Sequence, residues 1–172
     1  MLCIPRIGAA AMAAALSLVL LPLQATSSIN DLLSRFEHDS NPIHRAKLMP
    51  KLGDAEFAAV RKDVDDGDVP AAVQVLQKFR DQARECMKDL DALGTDAEKH
   101  PNGFKELQIS LRETLRRLDA LMGDLTRDEQ DQFAGLRKEI DSMNKHVIRE
   151  LFPRQPDTGA PAPKSPAQEP AR

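Results

Sequence analysis

The chain has 172 residues, with 24 Lys or Arg against 27 Asp or Glu and a formal net charge of −3. This length allows one domain, or at most two small ones. The slightly acidic balance argues against a protein that binds nucleic acid through its phosphates. The chain contains no Trp and no Tyr, and its six Phe are dispersed, so we expect no aromatic platform on which bases or sugars could stack.

The N-terminal segment has the layout of a targeting signal. Residues 7–23 carry no charge, 14 of these 17 positions are apolar, and Arg6 precedes them. This pattern is typical of a secretory signal peptide, and the run is short for a membrane-spanning helix, which needs roughly 20 apolar residues. We therefore predict a signal peptide over residues 1–25, cleavage after Ala25 and a periplasmic or secreted location. The alternative is a retained segment that anchors the chain in a membrane.

The clearest helical pattern covers residues 68–93, where apolar or small residues recur every seven positions. The two registers contain Val69, Leu76, Ala83 and Leu90, and Ala72, Phe79, Cys86 and Leu93. Asp68 is placed to cap this helix, with Pro70 in its first turn, and Gly94 can end it. Cleavage of the signal would leave Cys86 as the only thiol, so no intramolecular disulfide is expected. Its d position predicts a small core residue, and the alternative is an intermolecular disulfide or a reactive thiol.

Two more long helices follow. One is predicted from about Gly103 to Met122, and the next from a capping box formed by Thr126 and Glu129 to the stop at Pro153. Their apolar stripes contain Phe104, Leu107, Leu111, Leu115, Leu118, Leu121 and Met122, and Phe133, Leu136, Ile140, Met143, Val147 and Leu151. The connection between them is so short that we expect an antiparallel hairpin.

Shorter helices are predicted ahead of these. Ser28 with Asp31 can open one that runs through His38, and Asn41 with Pro42 can open a second. Pro50 and Gly53 should end or kink the second helix, and Asp54 can cap a third that runs to about Asp66. Their apolar residues should pack on the long hairpin: Ile29, Leu32, Leu33, Phe36, Ile43, Leu48, Leu52, Phe57, Val60 and Val64.

Together these elements predict an all-α fold. It is an antiparallel bundle of three long helices with shorter N-terminal helices packed on it, and the helical domain covers residues 26–152. No window alternates polar and apolar residues over a useful length, so no strand is expected. Residues 153–172 hold six of the twelve prolines and are predicted to be a disordered Pro/Ala-rich tail.

The residues that could carry chemistry form no recognisable constellation. No Gly-x-Ser-x-Gly elbow and no phosphate-binding glycine loop is present. Residues 63–68 have the wrong register for a calcium loop and are better explained by a helix end, a turn and the next N-cap. The four histidines, His38, His44, His100 and His146, lack the spacing of a metal site. We therefore predict no catalytic residue, no metal and no cofactor.

The densest basic group is Arg112, Arg116 and Arg117. Glu113 precedes Arg117 by four residues, which is the favourable orientation for an ion pair on a helix. We interpret this group as a solvated helix face, and the alternative is a site for an anionic surface.

Residues 125–130 resemble the Leu-Thr-x-x-Gln motif of small periplasmic helical chaperones and metal-stress proteins, which are helical hairpins that hold unfolded clients. Glu129 stands where that motif has Gln, and we assign no family. The leading hypothesis is an exported, non-enzymatic helical interaction or scaffold protein with a protein partner or self-association through its helices. We expect no nucleic acid, and a membrane only if the N-terminal segment is retained. The alternatives are a periplasmic holdase chaperone and an enzyme whose site comes from residues distant in sequence.

Overall fold

The computed structural model describes residues 23–154, and their side chains from residue 29 onward. Most of the predicted signal peptide and nearly all of the predicted tail lie outside these residues. The described part contains five helices and no strand: α1 (Leu23–His38), α2 (Pro42–Asp65), α3 (Val69–Ala92), α4 (Phe104–Gly123) and α5 (Arg127–Leu151). The predicted all-α fold is confirmed.

Consecutive helices α2 to α5 alternate in direction and form two antiparallel hairpins. In the first hairpin, Arg45 of α2 pairs with Asp89 of α3, while Glu56 of α2 faces Gln82 of α3. Residue numbers therefore rise along one helix as they fall along the other. The second hairpin shows the same order in two further contacts, Gln108 to Asn144 and Asp119 to Arg137.

The two hairpins pack side by side with parallel helices in contact. Ser110 of α4 donates a hydrogen bond to the Met49 carbonyl of α2, and Arg117 further along α4 pairs with Asp54 further along α2. The contacts between α3 and α5 also follow a parallel order: Arg80 to Glu139 and Asp91 to His146. In the described part, α2 and α5 occupy opposite corners of the bundle, with no Cα of one within 8 Å of a Cα of the other, and α1 packs on α2.

The bundle is held together by apolar stripes that meet in one core. The heptad positions of α3 from Val69 to Leu90 are buried, and so is the whole predicted stripe of α5. The stripe of α4 is buried except for Met122, which is half-buried. Helices of 20 to 25 residues gain most of their stability from such packing, because isolated helices are marginal in water.

The predicted caps of α2, α3 and α5 stand at the starts of these helices. Asn41 accepts hydrogen bonds at the start of α2, and the Asp68 side chain accepts one from the Ala71 amide at the start of α3. The Thr126 amide donates to the Glu129 carboxylate at 2.8 Å, which forms half of the predicted capping box of α5. None of the helices in the described part is both long and apolar enough to span a bilayer.

One prediction about the N-terminal helices is wrong. Residues 42–65 form a single helix of 24 residues, and Asp54 caps nothing because it lies in the middle of that helix. Pro50 removes one backbone donor, but the buried face continues in phase on both sides of it. Ser110 of α4 donates to the Met49 carbonyl at 3.0 Å just before the proline. Packing against neighbouring helices therefore overrides the breaker, and the bundle has four long helices.

Two further positions differ from the sequence prediction. Helix α1 begins at Leu23, ahead of the predicted cap Ser28, because no Gly or Pro interrupts the residues between them. Leu93, predicted as a core position of the heptad, is 44% exposed. It is the C-cap of α3, and Gly94 with φ of 60° turns the chain away, so the heptad spacing no longer directs its side chain inward.

Candidate functional site

Cys86 lies in the core, as its d position predicts. Its side chain is fully buried between the helices, and burial raises the pKa of its thiol to about 12. Since the thiolate is the reactive form, a thiol with this pKa is a poor nucleophile. The structure therefore supports a packing role for Cys86.

We expect Cys86 to be protected from a thiol reagent in the native protein. In a Cys3→Ser chain at pH 8, labelling should be at least about 100-fold slower than after unfolding in denaturant, because modification requires the core to open. The measurement is the time course of labelling by mass spectrometry. Equal rates in both states would show that the seam of α3 is not closed.

The predicted polar groups are distributed over the surface. His38 and His44 flank the turn between α1 and α2, His100 lies in the connection before α4, and His146 contacts Asp91 at 3.1 Å. No group of three or more His, Cys, Asp or Glu that could hold a metal ion is found among the described residues. The acidic run at residues 63–68 is a helix end, a turn at Gly67 and the N-cap of α3.

Two of the three arginines of the basic group on α4 form ion pairs. Glu113 accepts from Arg116 at 2.6 Å and from Arg117 at 3.2 Å, and these guanidinium groups lower the pKa of its carboxyl to about 2. Arg117 also pairs with Asp54 of α2 at 2.7 Å. These pairs agree with the interpretation as a solvated helix face.

The structure forms a cleft, lined mainly by polar and charged residues, that sequence patterns do not reveal. It lies between α1 and α3 and has a volume of about 530 Å³. We call it the α1–α3 cleft. Its lining consists of Phe36, Glu37, Arg45, Gln74, Gln77, Lys78, Asp81, Gln82 and Glu85. Three of these residues are glutamines on α3, whose amides both donate and accept hydrogen bonds.

Arg45 anchors one end of the cleft. Its guanidinium pairs with Glu85 at 2.9 Å and with Asp89 at 2.5 Å, and it stacks over the Phe36 ring at 4.4 Å from the centroid. A single side chain thus links α1, α2 and α3. Because the arginine is largely buried and contacts both acids and a ring, this contact fixes the geometry of the cleft more than an exposed ion pair would.

Glu56 lies behind the lining of the cleft and was not singled out from the sequence. The side chain is only 2% exposed, and burial raises the pKa of its carboxyl to about 7 against the opposing effects of Lys78 and Gln82. The amide nitrogen of Gln82, when turned toward the carboxylate, donates to its two oxygens at 3.1 and 3.2 Å. The sequence feature that could have indicated its burial is its position on the buried face of α2, three residues after Gly53 and four before Val60.

The functional groups in the lining of the cleft are amides, carboxylates and two cationic side chains. Its lining contains no Ser, Thr, Cys or His. Two of its three carboxylates are engaged: Glu85 with Arg45, and Asp81 with Arg80 and Arg84. Phe36 is the one apolar side chain in its lining and is almost completely buried.

Comparison with known proteins does not identify a relative. No family model matches the chain, and neither a curated protein nor a solved structure is significantly similar to it.

Proposed function

We propose that the chain is an exported, non-enzymatic interaction protein whose helical bundle presents the α1–α3 cleft to a polar segment of a partner protein. The observation that carries this proposal is the combination of a closed apolar core with an amide-rich cleft. Export rests on the sequence of residues 1–25.

The heptad seam of α3 is occupied within the bundle. Leu76 and Phe79 are almost completely buried against the other helices, so this seam cannot also receive a helix from a second chain without unfolding. A partner must therefore bind at the surface, and the cleft offers hydrogen-bonding groups there. Gln74 and Gln77 can pair with the backbone of an extended segment, while Lys78 and Glu37 select its charges.

The cleft proposal can be tested by site-specific photo-crosslinking. A photoreactive residue at Gln77, inside the cleft, should give a discrete adduct in cells that produce the protein. The matched control places the same residue at Ala120, an exposed position on α4 outside the cleft lining. The same adducts at both positions, or none at Gln77, would contradict the proposal. Loss of the Gln77 adduct in an Asp81→Lys background would support it, because a reversed charge in the lining opposes the same partner.

The holdase alternative has less support. A holdase must keep apolar surface accessible, whereas only three large apolar side chains are exposed in the described part: Leu93, Ile109 and Phe152. Helix α2 cannot act as a detachable lid, because it contacts α1, α3 and α4 and contributes to the core. Suppression of aggregation of unrelated unfolded proteins at near-stoichiometric amounts would favour this alternative over the proposed function.

A further inference from the structure

A carboxyl group stands within the apolar interface between α2 and α3. Glu56 lies on the same face of α2 as Leu52, Phe57 and Val60, all of which are buried. Across the interface, its carboxyl faces the amide of Gln82, which is itself buried and lines the α1–α3 cleft. An acid at this position contributes less to packing than an apolar residue would. What it adds to the interface is a hydrogen bond to Gln82.

We propose that Glu56 and Gln82 form a proton-controlled latch beneath the α1–α3 cleft, which holds α2 against α3 when Glu56 is protonated and loosens when it ionises. The proposal concerns the bundle itself and stands whether or not the cleft binds a partner. It goes beyond a binding role by giving the cleft two states.

The amide suits both protonation states of the acid. Its nitrogen can donate to a carboxylate, and after rotation by half a turn its carbonyl oxygen can accept the proton of a carboxylic acid. Hydrogen bonding is therefore satisfied in both states, and the difference between them is the cost of keeping a charge away from water. Ionisation favours any opening of the interface that admits water, and the cleft is the nearby route.

Few charged groups near Glu56 offset the free-energy cost of keeping its carboxylate away from water. The charged group that acts on Glu56 is Lys78 on α3. The other charges around the cleft are Glu37 on α1, Arg45 on α2, and Asp81 and Glu85 on α3. On the side of α2 that faces α4, the charged groups are Asp54, Arg112, Glu113 and Arg117, and Arg117 pairs with both Asp54 and Glu113.

The direction of the pH effect follows from the raised pKa of Glu56. The carboxyl takes up its proton more readily in the folded chain, at about 7, than in the unfolded chain, at its ordinary 4.5. The stabilisation is therefore complete below about pH 4.5 and is lost as the pH rises through about 7. The rise of the pKa from 4.5 to about 7 corresponds to a change of about 300-fold in the equilibrium constant for opening of the interface between α2 and α3.

The test is hydrogen exchange of the full chain at pH 5.5 and pH 8.5, corrected for the intrinsic rate at each pH. We expect the protection of residues 52–60 and 78–86 to fall by about 30-fold or more at the higher pH, and to fall less in α4 and α5. In the Glu56→Gln chain, which keeps the shape and cannot ionise, this loss should disappear. In the Lys78→Met chain the loss of protection should continue to a higher pH and be larger in total, because without this positive charge the pKa of Glu56 in the folded chain rises further.

The matched control is Glu37→Gln, the same replacement at an exposed acid of the same cleft. It should retain the pH dependence of the unmodified chain. Equal pH dependence in the Glu56→Gln chain and the unmodified chain would overturn the latch, and so would a loss of protection that is uniform over all helices. If Glu56→Gln impairs folding, the carboxyl resonance of Glu56 in the unmodified chain decides instead. A titration midpoint near 7 supports the latch and one near 4.5 refutes it.

Discussion

Replacing Phe79 by alanine should lower the free energy of unfolding by about 4 kcal/mol, within the range of buried Phe→Ala changes. The ring is 2% exposed, and its Cε2 atom lies 3.0 Å from the point where a Cβ on Gly53 would stand. The ring therefore packs directly on the backbone of α2. A helix backbone cannot move to fill the space that the ring leaves, so most of the cavity should persist.

The matched control is Leu93→Ala, which changes the next but one d position of the same heptad register. Because Leu93 is largely exposed, this change should cost less than about 1 kcal/mol. Unfolding in urea can be followed by far-ultraviolet circular dichroism, since the chain has no Trp or Tyr for fluorescence. Similar costs for the two variants would mean that the seam does not end at α3's C-cap.

The Gly103→Ala variant should be destabilised by about 3 kcal/mol. Gly103 precedes α4 with φ of 90°, a backbone conformation that side chains with a Cβ rarely adopt. A Cβ there would also stand 2.7 Å from Cδ2 of Leu90, a fully buried core residue. Backbone strain and overpacking therefore add at this position.

Gly94→Ala separates the two causes. Gly94 also has a positive φ, of 60°, but a Cβ there would meet no atom within 4 Å. Only the strain remains, and the expected cost is about 1 kcal/mol. The same urea titration measures both variants. If Gly94→Ala lowers the free energy of unfolding as much as Gly103→Ala does, the close approach of Gly103 to Leu90 contributes nothing to the destabilisation.

The candidate site shows where sequence reasoning reaches its limit. The burial of Cys86 follows from a heptad within one helix, and so could be predicted. The α1–α3 cleft combines residues from three helices, and Glu56 is an acid on an otherwise apolar stripe. A search for spaced catalytic or metal-binding motifs does not find such a site, because its members are brought together by packing and share no spacing along the chain.

The sequence by itself determined the helical class, the bounds of α3 to α5 and their buried stripes. These features depend on groups a few residues apart, such as the Asp68 cap and the Thr126 and Glu129 box, and on periodicity within one helix. The tertiary structure decided the rest. Tertiary packing keeps α2 continuous across Pro50, and it places the two hairpins so that parallel helices are in contact. It also put Glu56 opposite Gln82. Each of these outcomes depends on a contact between residues far apart in sequence, whose free energy exceeds the local preference it overrides.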